Sequence, residues 1–394
     1  MKLTKIEIKG LFDLFDYDIP LTNEENLLII TGPNGFGKTM ILNIIDSFFN
    51  NKLEFFHKLV FKSIFIWIDD KKISIKKGSS KNVELVVFKN ENSIANINIH
   101  KNKPNENARE KKEAWRNEFY DKIKEEFNSF KVHLIKEQRL INRESIKSIE
   151  YSREHYFDMD ELDYIIDTIQ ESAVELKGLL NRYLQKSYSI TQQIDSSFPK
   201  RLLNEKGTLS IEEFDKRFKL LKEKQEKLKR FGLSESEQEI PDYDEKNGSV
   251  LLVYLKDSEE KISVFNGLLT RLELFTDILN ERRFTFKSIK IDKDKGFIFL
   301  TNAGTELKLT DLSSGEQHEV VLLYELMFKT NPNTLVLIDE PEISLHVTWQ
   351  KEFLSDLLKI LELQKMQVIV ATHSPQIINE RWDLVFNLET QKIQ

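Results

Sequence analysis

The pattern of apolar and polar residues divides the chain into stretches of strand and helix. Between residues 2 and 31 it is typical of β-strands, and it ends in the apolar run NLLIIT directly before a glycine-rich turn. A helix is predicted after this turn, from Lys38 to about Phe49. Four short runs rich in β-branched and aromatic residues then follow at hairpin spacing and predict an antiparallel sheet: SIFIWI, KISIK, VELVVF and SIANINIH.

Helical periodicity replaces the strand pattern in the middle of the chain. A polar segment at 101–116 is predicted to turn helical, and a strand is predicted at 131–138. Residues 141–285 combine many charges with helical spacing, which is clearest at 164–184 and 251–279. The strand pattern then returns and ends in two apolar runs, NTLVLIDE and MQVIVATHS, each consistent with a buried strand of a parallel sheet.

We therefore predict an α/β fold in which a mixed sheet with flanking helices and an antiparallel β subdomain is interrupted by a helical or short coiled-coil arm. The predicted division is 1–140 for the N-terminal half of the α/β domain, 141–285 for the arm and 286–394 for the C-terminal half. With 394 residues, 40% of them hydrophobic, the chain is long enough for two or three compact units.

Composition narrows the class of protein without naming one. The chain has no cysteine, which excludes disulfides, thiolate metal sites and cysteine nucleophiles and fits a cytoplasmic protein. The first ten residues alternate like a strand and lack the order of a signal peptide, and no apolar run approaches the roughly 20 residues of a membrane span. Because the net charge is −7, any contact with nucleic acid must come from a local basic patch.

The sequence GPNGFGKT, residues 32–39, has the spacing of a phosphate-binding loop. Its glycines allow backbone torsions that point several N–H groups at one phosphate. Lys38 adds a charge across the β- and γ-phosphates, and the Thr39 hydroxyl ligates magnesium. The predicted contacts with the nucleotide come from Asn34, Gly35, Gly37, Lys38 and Thr39.

Two adjacent carboxylates, Asp339 and Glu340, end an apolar strand at the sheet edge where ligands bind in α/β folds. Asp339 is predicted to hold magnesium directly or through water, and Glu340 to orient and polarise the attacking water. His373 ends the next apolar strand and is predicted to sense the γ-phosphate or position the water. The acids alone would be an ordinary solvated strand end, but together with the phosphate loop they indicate a nucleotide hydrolase.

Four motifs occur in a fixed order: the phosphate loop, LSSGEQ, LIDEPE and ATHS. Together they resemble the ATP-binding-cassette ATPase superfamily, in particular its chromosome-maintenance and repair branch. The resemblance implies that the serine-glycine signature reaches across a dimer to the γ-phosphate held by the other subunit. Ser313 and Gly315 would then supply hydroxyl and backbone donors at a helix N-terminus, which explains why the signature has no lysine. A homodimer, or a higher oligomer of dimers, is implied.

Within that branch, the acid-acid-proline-acid run followed by Leu345 and His346 is similar to bacterial antiphage ATPases of the overcoming-lysogenization-defect, Septu and PARIS types. The segment HLIKEQRL resembles their glutamine loop and implies that Gln138 ligates magnesium or water; a polar strand end is the other interpretation. Overcoming-lysogenization-defect proteins carry a nuclease domain after the ATPase. Because this chain stops soon after His373, we expect the nuclease to be encoded separately.

Several other residues keep two interpretations. Phe12, Phe15 and Tyr17 either stack on adenine or belong to the core. His346 either contacts the opposite nucleotide or caps a helix. The stretch 216–230 has eight basic residues against two acidic ones, so it either binds a phosphate backbone or forms a solvated helix face that pairs with the acidic run after it.

The functional prediction is an ATPase that binds Mg-ATP between two copies of itself and drives a conformational switch in antiphage defence. It would sense DNA or phage and control a separately encoded effector, a nuclease of the HNH or TOPRIM type or a toxin. Two alternatives stay open, a DNA-repair ATPase that acts on ends or gaps and an ATP-bound scaffold with slow turnover. No membrane partner is expected.

Overall fold

The structure is a computed structural model that describes residues 1–78, 82–99, 117–128, 130–136, 168–234, 243 and 245–391. The chain divides into two compact units. The first joins Met1–Arg139 to Glu325–Gln394, and the second is Leu140–Tyr324. The predicted helix at 101–116 lies outside the described residues.

The first unit contains a five-stranded parallel sheet in the order β14-β3-β13-β12-β8. Its strands are β3 (Leu27–Thr31), β8 (Lys131–Ile135), β12 (Thr334–Asp339), β13 (Gln367–Ala371) and β14 (Val385–Asn387). Every residue of the neighbouring interior strands β12 and β13 is buried. This explains their continuous apolar sequence, since both faces of a parallel sheet are covered. The predicted parallel strands are confirmed.

A second sheet in the same unit has six antiparallel strands in the order β2-β1-β4-β5-β6-β7. The strands are β1 (Leu3–Leu11), β2 (Phe15–Pro20), β4 (Ser63–Ile68), β5 (Lys71–Lys77), β6 (Val83–Lys89) and β7 (Asn92–Ile99). Apolar residues alternate along them because only one face joins the core. The predicted hairpins are confirmed, although the parallel and antiparallel strands lie in separate sheets.

The helices of the first unit are α1 (Lys38–Phe49), α2 (Phe55–Lys58), α3 (117–126), α9 (Val347–Gln364) and α10 (Pro375–Ile378). α1 contributes a run of buried residues to a core that also includes side chains of both sheets. The two sheets are also joined by the buried Gln367 amide, which accepts a hydrogen bond from the Leu3 N–H at 2.9 Å and donates to the Leu3 carbonyl at 2.7 Å.

The second unit is mostly helical. Its helices are α4 (Thr168–Asn204), α5 (Ile211–Arg230), α6 (Gly248–Ser263), α7 (Asn266–Asp277) and α8 (Ser314–Tyr324). A small antiparallel sheet is formed by β9 (Lys287–Asp292), β10 (Gly296–Thr301) and β11 (Glu306–Leu307). Residues 286–324 thus belong to the same compact unit as the helices, whereas the sequence assigned them to the C-terminal half of the α/β domain. The division at 140 and 285 stays a prediction.

The predicted α/β fold with an antiparallel β subdomain and a helical insertion is confirmed. Among the described residues, no helix combines the length and the apolar character needed to cross a bilayer.

Candidate functional site

The phosphate loop connects β3 to α1 through three glycines with positive φ: Gly32 at 150°, Gly35 at 90° and Gly37 at 89°. A side chain at Gly37 would be strained by this backbone and would also press on Leu11, because a Cβ there would lie 3.0 Å from its Cδ2. Gly37 is the N-cap of α1, and in the described part of the chain no side chain caps this helix. The N–H groups of its first turn are therefore available to an anion.

Two aromatic residues of β2, Phe15 and Tyr17, contact the phosphate loop at Phe36. The hydroxyl of Tyr17 donates a 2.7 Å hydrogen bond to the carbonyl of Phe36, and the ring of Phe15 lies 5.1 Å from that of Phe36. Tyr17 is only 2% exposed, and its burial raises the pKa of the phenol to about 12. Phe15 and Tyr17 thus pack in the core, the second of their two interpretations. Phe12 is partly buried beside Gly37.

Lys38, the first residue of α1, is 5% exposed and folds back over the loop. Its Nζ donates to the Gly32 carbonyl at 2.9 Å and lies 3.5 Å from the Pro33 carbonyl. The ammonium therefore sits on the same loop as the glycine backbone groups. Asn34 and Gly35 are exposed at the loop tip.

Thr39 and Asp339 are 300 positions apart in the chain, but the Thr39 hydroxyl donates to Oδ1 of Asp339 at 3.0 Å. Two oxygen ligands side by side at a phosphate loop fit magnesium, which prefers oxygen and is usually held by one or two protein groups together with substrate phosphates. Within the described ranges, no group of three or more histidine, aspartate or glutamate side chains could hold a metal. The two oxygens of Thr39 and Asp339 fit a magnesium ion that phosphate oxygens also hold.

Glu340 follows β12 with a left-handed backbone, φ 43° and ψ 61°. Its N–H donates to the carbonyl of Ala371 at the end of β13, at 2.8 Å. This conformation costs a non-glycine residue on the order of 1–2 kcal/mol, and such strain is often found at functional sites. The side chain remains 18% exposed, so its carboxylate can meet water.

His373 lies two residues after the end of β13, on the same sheet edge as Glu340. Its Nδ1 is 3.7 Å from Oε1 of Glu340 and 3.1 Å from Oε1 of Glu342, and the imidazole is half exposed. Both carboxylates belong to the turn after β12. The structure therefore brings Lys38, Thr39, Asp339, Glu340 and His373 to the C-terminal edge of one parallel sheet.

Glu342 was quoted in the motif but given no role from the sequence. It is 7% exposed, and its Oε1 accepts hydrogen bonds from the Thr372 hydroxyl at 2.7 Å and the His373 N–H at 2.9 Å. Only the acid-acid-proline-acid spacing could have drawn attention to it. The contacts of Glu342 with Thr372 and His373 arise because β12, which precedes Glu342, pairs with β13, which precedes the other two residues.

The serine-glycine signature belongs to the second unit, where Ser313 precedes α8. The Ser313 N–H and hydroxyl donate to Oε2 of Glu316 at 2.8 and 2.9 Å, and the Glu316 N–H lies 3.4 Å from the Ser313 hydroxyl. This is a capping box. The ammonium of Lys287 lies 2.9 Å from the Glu316 carboxylate. Although burial acts in the opposite direction, Lys287 and Ser313 lower the pKa of Glu316.

Of two further predicted residues, the structure describes one, His346. The ring of His346 caps α9 by accepting a hydrogen bond from the Thr348 N–H at 3.4 Å, so the capping interpretation is the one that the contacts support. Gln138 lies outside the described residues.

The basic stretch 216–230 forms most of α5. Part of its charge is paired with acids of α6 and α7: Arg217 with Glu259 at 2.7 Å, and Lys227 with Glu273 at 2.8 Å. These two charges thus pair with neighbouring helices. Most of the acidic run after the stretch lies outside the described residues.

Comparison with known proteins decides the family. The model of a family described as AAA ATPase domain matches residues 1–378, nearly the whole chain. The chain belongs to this family. The prediction of an ATPase is confirmed at that level.

Three curated proteins match parts of this AAA ATPase domain. Protein ea59 of Escherichia phage lambda is 33% identical over 100 residues, 25% of this chain and 19% of the relative. The uncharacterized ABC transporter ATP-binding protein YfmM of Bacillus subtilis is 25% identical over 144 residues, 36% of this chain and 26% of the relative. The retron Ec83 probable ATPase of Escherichia coli is 27% identical over 135 residues, which are 31% of this chain and 24% of the relative. The matches thus span only a fifth to a quarter of these relatives.

Among solved structures, the AAA ATPase domain is similar to Smc head domains. That of Pyrococcus furiosus, with an extended coiled coil and bound to the C-terminal domain of ScpA, is 17% identical with a TM-score of 0.42, over 98% of this chain and 93% of the other. That of Thermotoga maritima is 14% identical with a TM-score of 0.35, over 98% and 94%. Both TM-scores lie below 0.5, so neither similarity bears on function.

Proposed function

We propose that this protein binds Mg-ATP between two copies of itself, hydrolyses it, and uses the closing and opening of the pair as a switch in antiphage defence. The observation that carries the proposal is the sheet edge where Thr39 contacts Asp339 at 3.0 Å while Glu340 and His373 lie within 3.7 Å of each other. A phosphate loop, a magnesium ligand, a water-orienting acid and a polar sensor are the parts that ATP hydrolysis needs.

The roles follow from position. The loop N–H groups and Lys38 bind the phosphates, while Thr39 and Asp339 hold magnesium, which neutralises phosphate charge when it is bound. Glu340 orients the attacking water, and His373 contacts the γ-phosphate or that water. Gln138 is proposed as a further ligand of magnesium or water.

The second copy supplies Ser313 and Gly315. Because α8 begins at Ser314, its first N–H groups can face a phosphate of the other subunit. The Ser313 hydroxyl, which donates to Glu316 in the single chain, would exchange that bond for one to the phosphate. ATP would then contact both copies only in the closed state, so its binding shifts the population towards closure. The partial similarity to a retron ATPase supports a defence setting and a separately encoded effector.

The purified full chain tests the chemistry. We expect Lys38→Ala to lose ATP binding, and Glu340→Gln to bind ATP but hydrolyse it about 100-fold or more slowly, as for loss of a general base. ATP binding is measured by equilibrium dialysis and hydrolysis by phosphate release. Glu362→Gln, which changes an exposed acid of α9, is the matched control and should leave both values unchanged. Normal hydrolysis by Glu340→Gln would contradict the mechanism.

The defence setting needs a separate test in cells. Expression of the chain with its neighbouring genes should reduce phage plaques, and Glu340→Gln should abolish this protection. If the chain protects without its neighbouring genes, and only in cells whose recombination genes are intact, the repair alternative is favoured. If Glu340→Gln protects as well as the native chain, turnover is not needed and the scaffold alternative is favoured.

A further inference from the structure

Glu342 is a buried acid that the proposed chemistry leaves without a task. It lies in the 3₁₀ turn Pro341–Ser344, two residues after Glu340, and is 7% exposed. Moving a carboxylate out of water is costly unless its oxygens find partners. Its Oε2 is buried without a hydrogen-bond partner among the described residues, so all of its favourable contacts are made by Oε1.

Among the described residues, the polar groups that contact Oε1 belong to the segment that carries His373. The Thr372 hydroxyl donates at 2.7 Å, the His373 N–H donates at 2.9 Å, and the Nδ1 of the same histidine lies at 3.1 Å. Thr372 is fully buried, and its own N–H donates to the Ile30 carbonyl in β3. The main chain at this point is thus fixed from both sides, while the imidazole is 51% exposed.

We propose that Glu342 is a positioning residue for His373: its carboxylate keeps the proton of the neutral imidazole on Nδ1 and so presents Nε2 to the nucleotide. This inference rests on the proposed role of His373 in ATP hydrolysis. The 3.1 Å between Nδ1 and Oε1 is an ion-pair distance rather than an aligned hydrogen bond. A lone pair on Nδ1 would repel the carboxylate at this distance, whereas an Nδ1–H is attracted to it. Which nitrogen of a histidine works at a site is commonly set by the partner of the other nitrogen.

Glu340 cannot replace Glu342 in this role. Its Oε1 is 3.7 Å from Nδ1, against 3.1 Å for Glu342, and none of the hydrogen bonds that fix residues 372 and 373 goes to it. The two carboxylates of this turn thus have different roles. Glu340 remains for water, and Glu342 orients the histidine.

The test measures which nitrogen of the His373 imidazole carries the proton, in the full chain without nucleotide. Long-range ¹H–¹⁵N spectra of histidine-labelled protein at a pH where the ring is neutral distinguish a proton on Nδ1 from one on Nε2. The chain has seven histidines, so His373 is assigned by comparison with His373→Asn. We expect Nδ1–H in the native chain and in Glu340→Gln, and a shift towards Nε2–H in Glu342→Gln, whose amide keeps the size but not the charge.

Kinetics provide the second readout. Glu342→Gln should lower kcat by about 10- to 100-fold, the usual loss when a residue that orients a functional group is changed. The KM for ATP should change less than about twofold, since the phosphate loop is untouched. Glu342→Asp keeps the charge but draws it away from Nδ1. We therefore expect the same shift of the proton towards Nε2 and the same kind of loss in kcat, both smaller than in Glu342→Gln. The aspartate variant serves if the glutamine variant does not fold.

The two proposals fail in different ways. If the proton stays on Nδ1 in both Glu342 variants, or if kcat is unchanged, the positioning role is wrong even where Glu340→Gln abolishes hydrolysis. If the native chain does not hydrolyse ATP at all, the proposed function fails, and the spectra still decide whether Glu342 sets the tautomer.

Discussion

The Glu316 carboxylate, in the first turn of α8, is held by close partners. It receives hydrogen bonds from the Ser313 N–H and hydroxyl, and the ammonium of Lys287 lies 2.9 Å away. The lowered pKa of Glu316 means that the fold favours the ionised form. The ionised acid therefore stabilises the fold above its ordinary pKa of 4.5, and this contribution is lost as the pH falls through the lowered value.

Glu316→Gln should lower the free energy of unfolding at pH 7 by about 1 kcal/mol, because the amide can keep the capping box but loses the ion pair with Lys287 and the charge-assisted hydrogen bonds from Ser313. The variant should also lose less stability than the native chain between about pH 5 and pH 3, because the titrating group is gone. Urea unfolding at several pH values measures both effects. Glu306→Gln removes the exposed pair with Lys295 in the same unit and should cost less than about 0.5 kcal/mol. Identical pH dependence in native and Glu316→Gln protein would contradict this account.

Among the elements, those that follow local periodicity were predicted well. α1 has the predicted bounds, and β4, β6 and β7 match their apolar runs within one residue, because each buries one face at a fixed spacing. α4 extends well beyond the predicted run and continues through Pro199, which usually ends a helix. Within α4, the guanidinium of Arg201 donates to the Ile194 carbonyl at 2.7 Å. It also pairs with Asp257 of α6, a contact between helices that only the fold creates.

In the candidate site, too, the features with local spacing could be predicted and the contacts between distant segments could not. The phosphate loop and the acids after β12 could be recognised in the sequence because their spacing is local. The contact of Thr39 with Asp339 and the approach of Glu342 to His373 depend on β3, β12 and β13 being neighbours in one sheet. No pattern along the chain reports such distances, and this is why Glu342 received no role from the sequence.

The packing of β10 against α4 depends on Gly296. Its φ is +83°, and a methyl group there would overlap the Ala173 carbonyl. Gly296→Ala should therefore destabilise the protein by about 3 kcal/mol, the sum of a left-handed alanine and overpacking. Gly304→Ala is the matched control, with a φ of +80° but no atom within 4 Å, and should cost only about 1 kcal/mol. Urea unfolding compares them, and equal losses would show that packing at Gly296 is unimportant.

For the whole molecule, the central proposal is that one chain holds only half of each ATP site. The phosphate loop, Asp339 and Glu340 belong to the first compact unit, and the signature belongs to the second. Ser313 is exposed, so a larger residue has room there. Its substitution removes a cap of α8, which costs about 1 kcal/mol, and should leave the fold of one chain intact. The effect should appear only where two chains meet around ATP.

The most direct test is the mass of the particle, measured by light scattering after gel filtration with Mg-ATP. Glu340→Gln, which should retain ATP, is predicted to double in mass when ATP is added. The double variant Glu340→Gln with Ser313→Arg is predicted to bind ATP in equilibrium dialysis but to show no increase in mass, and Ser313→Arg alone should not hydrolyse ATP. If the double variant still doubles with ATP, or if Ser313→Arg hydrolyses at the native rate, the shared site is contradicted.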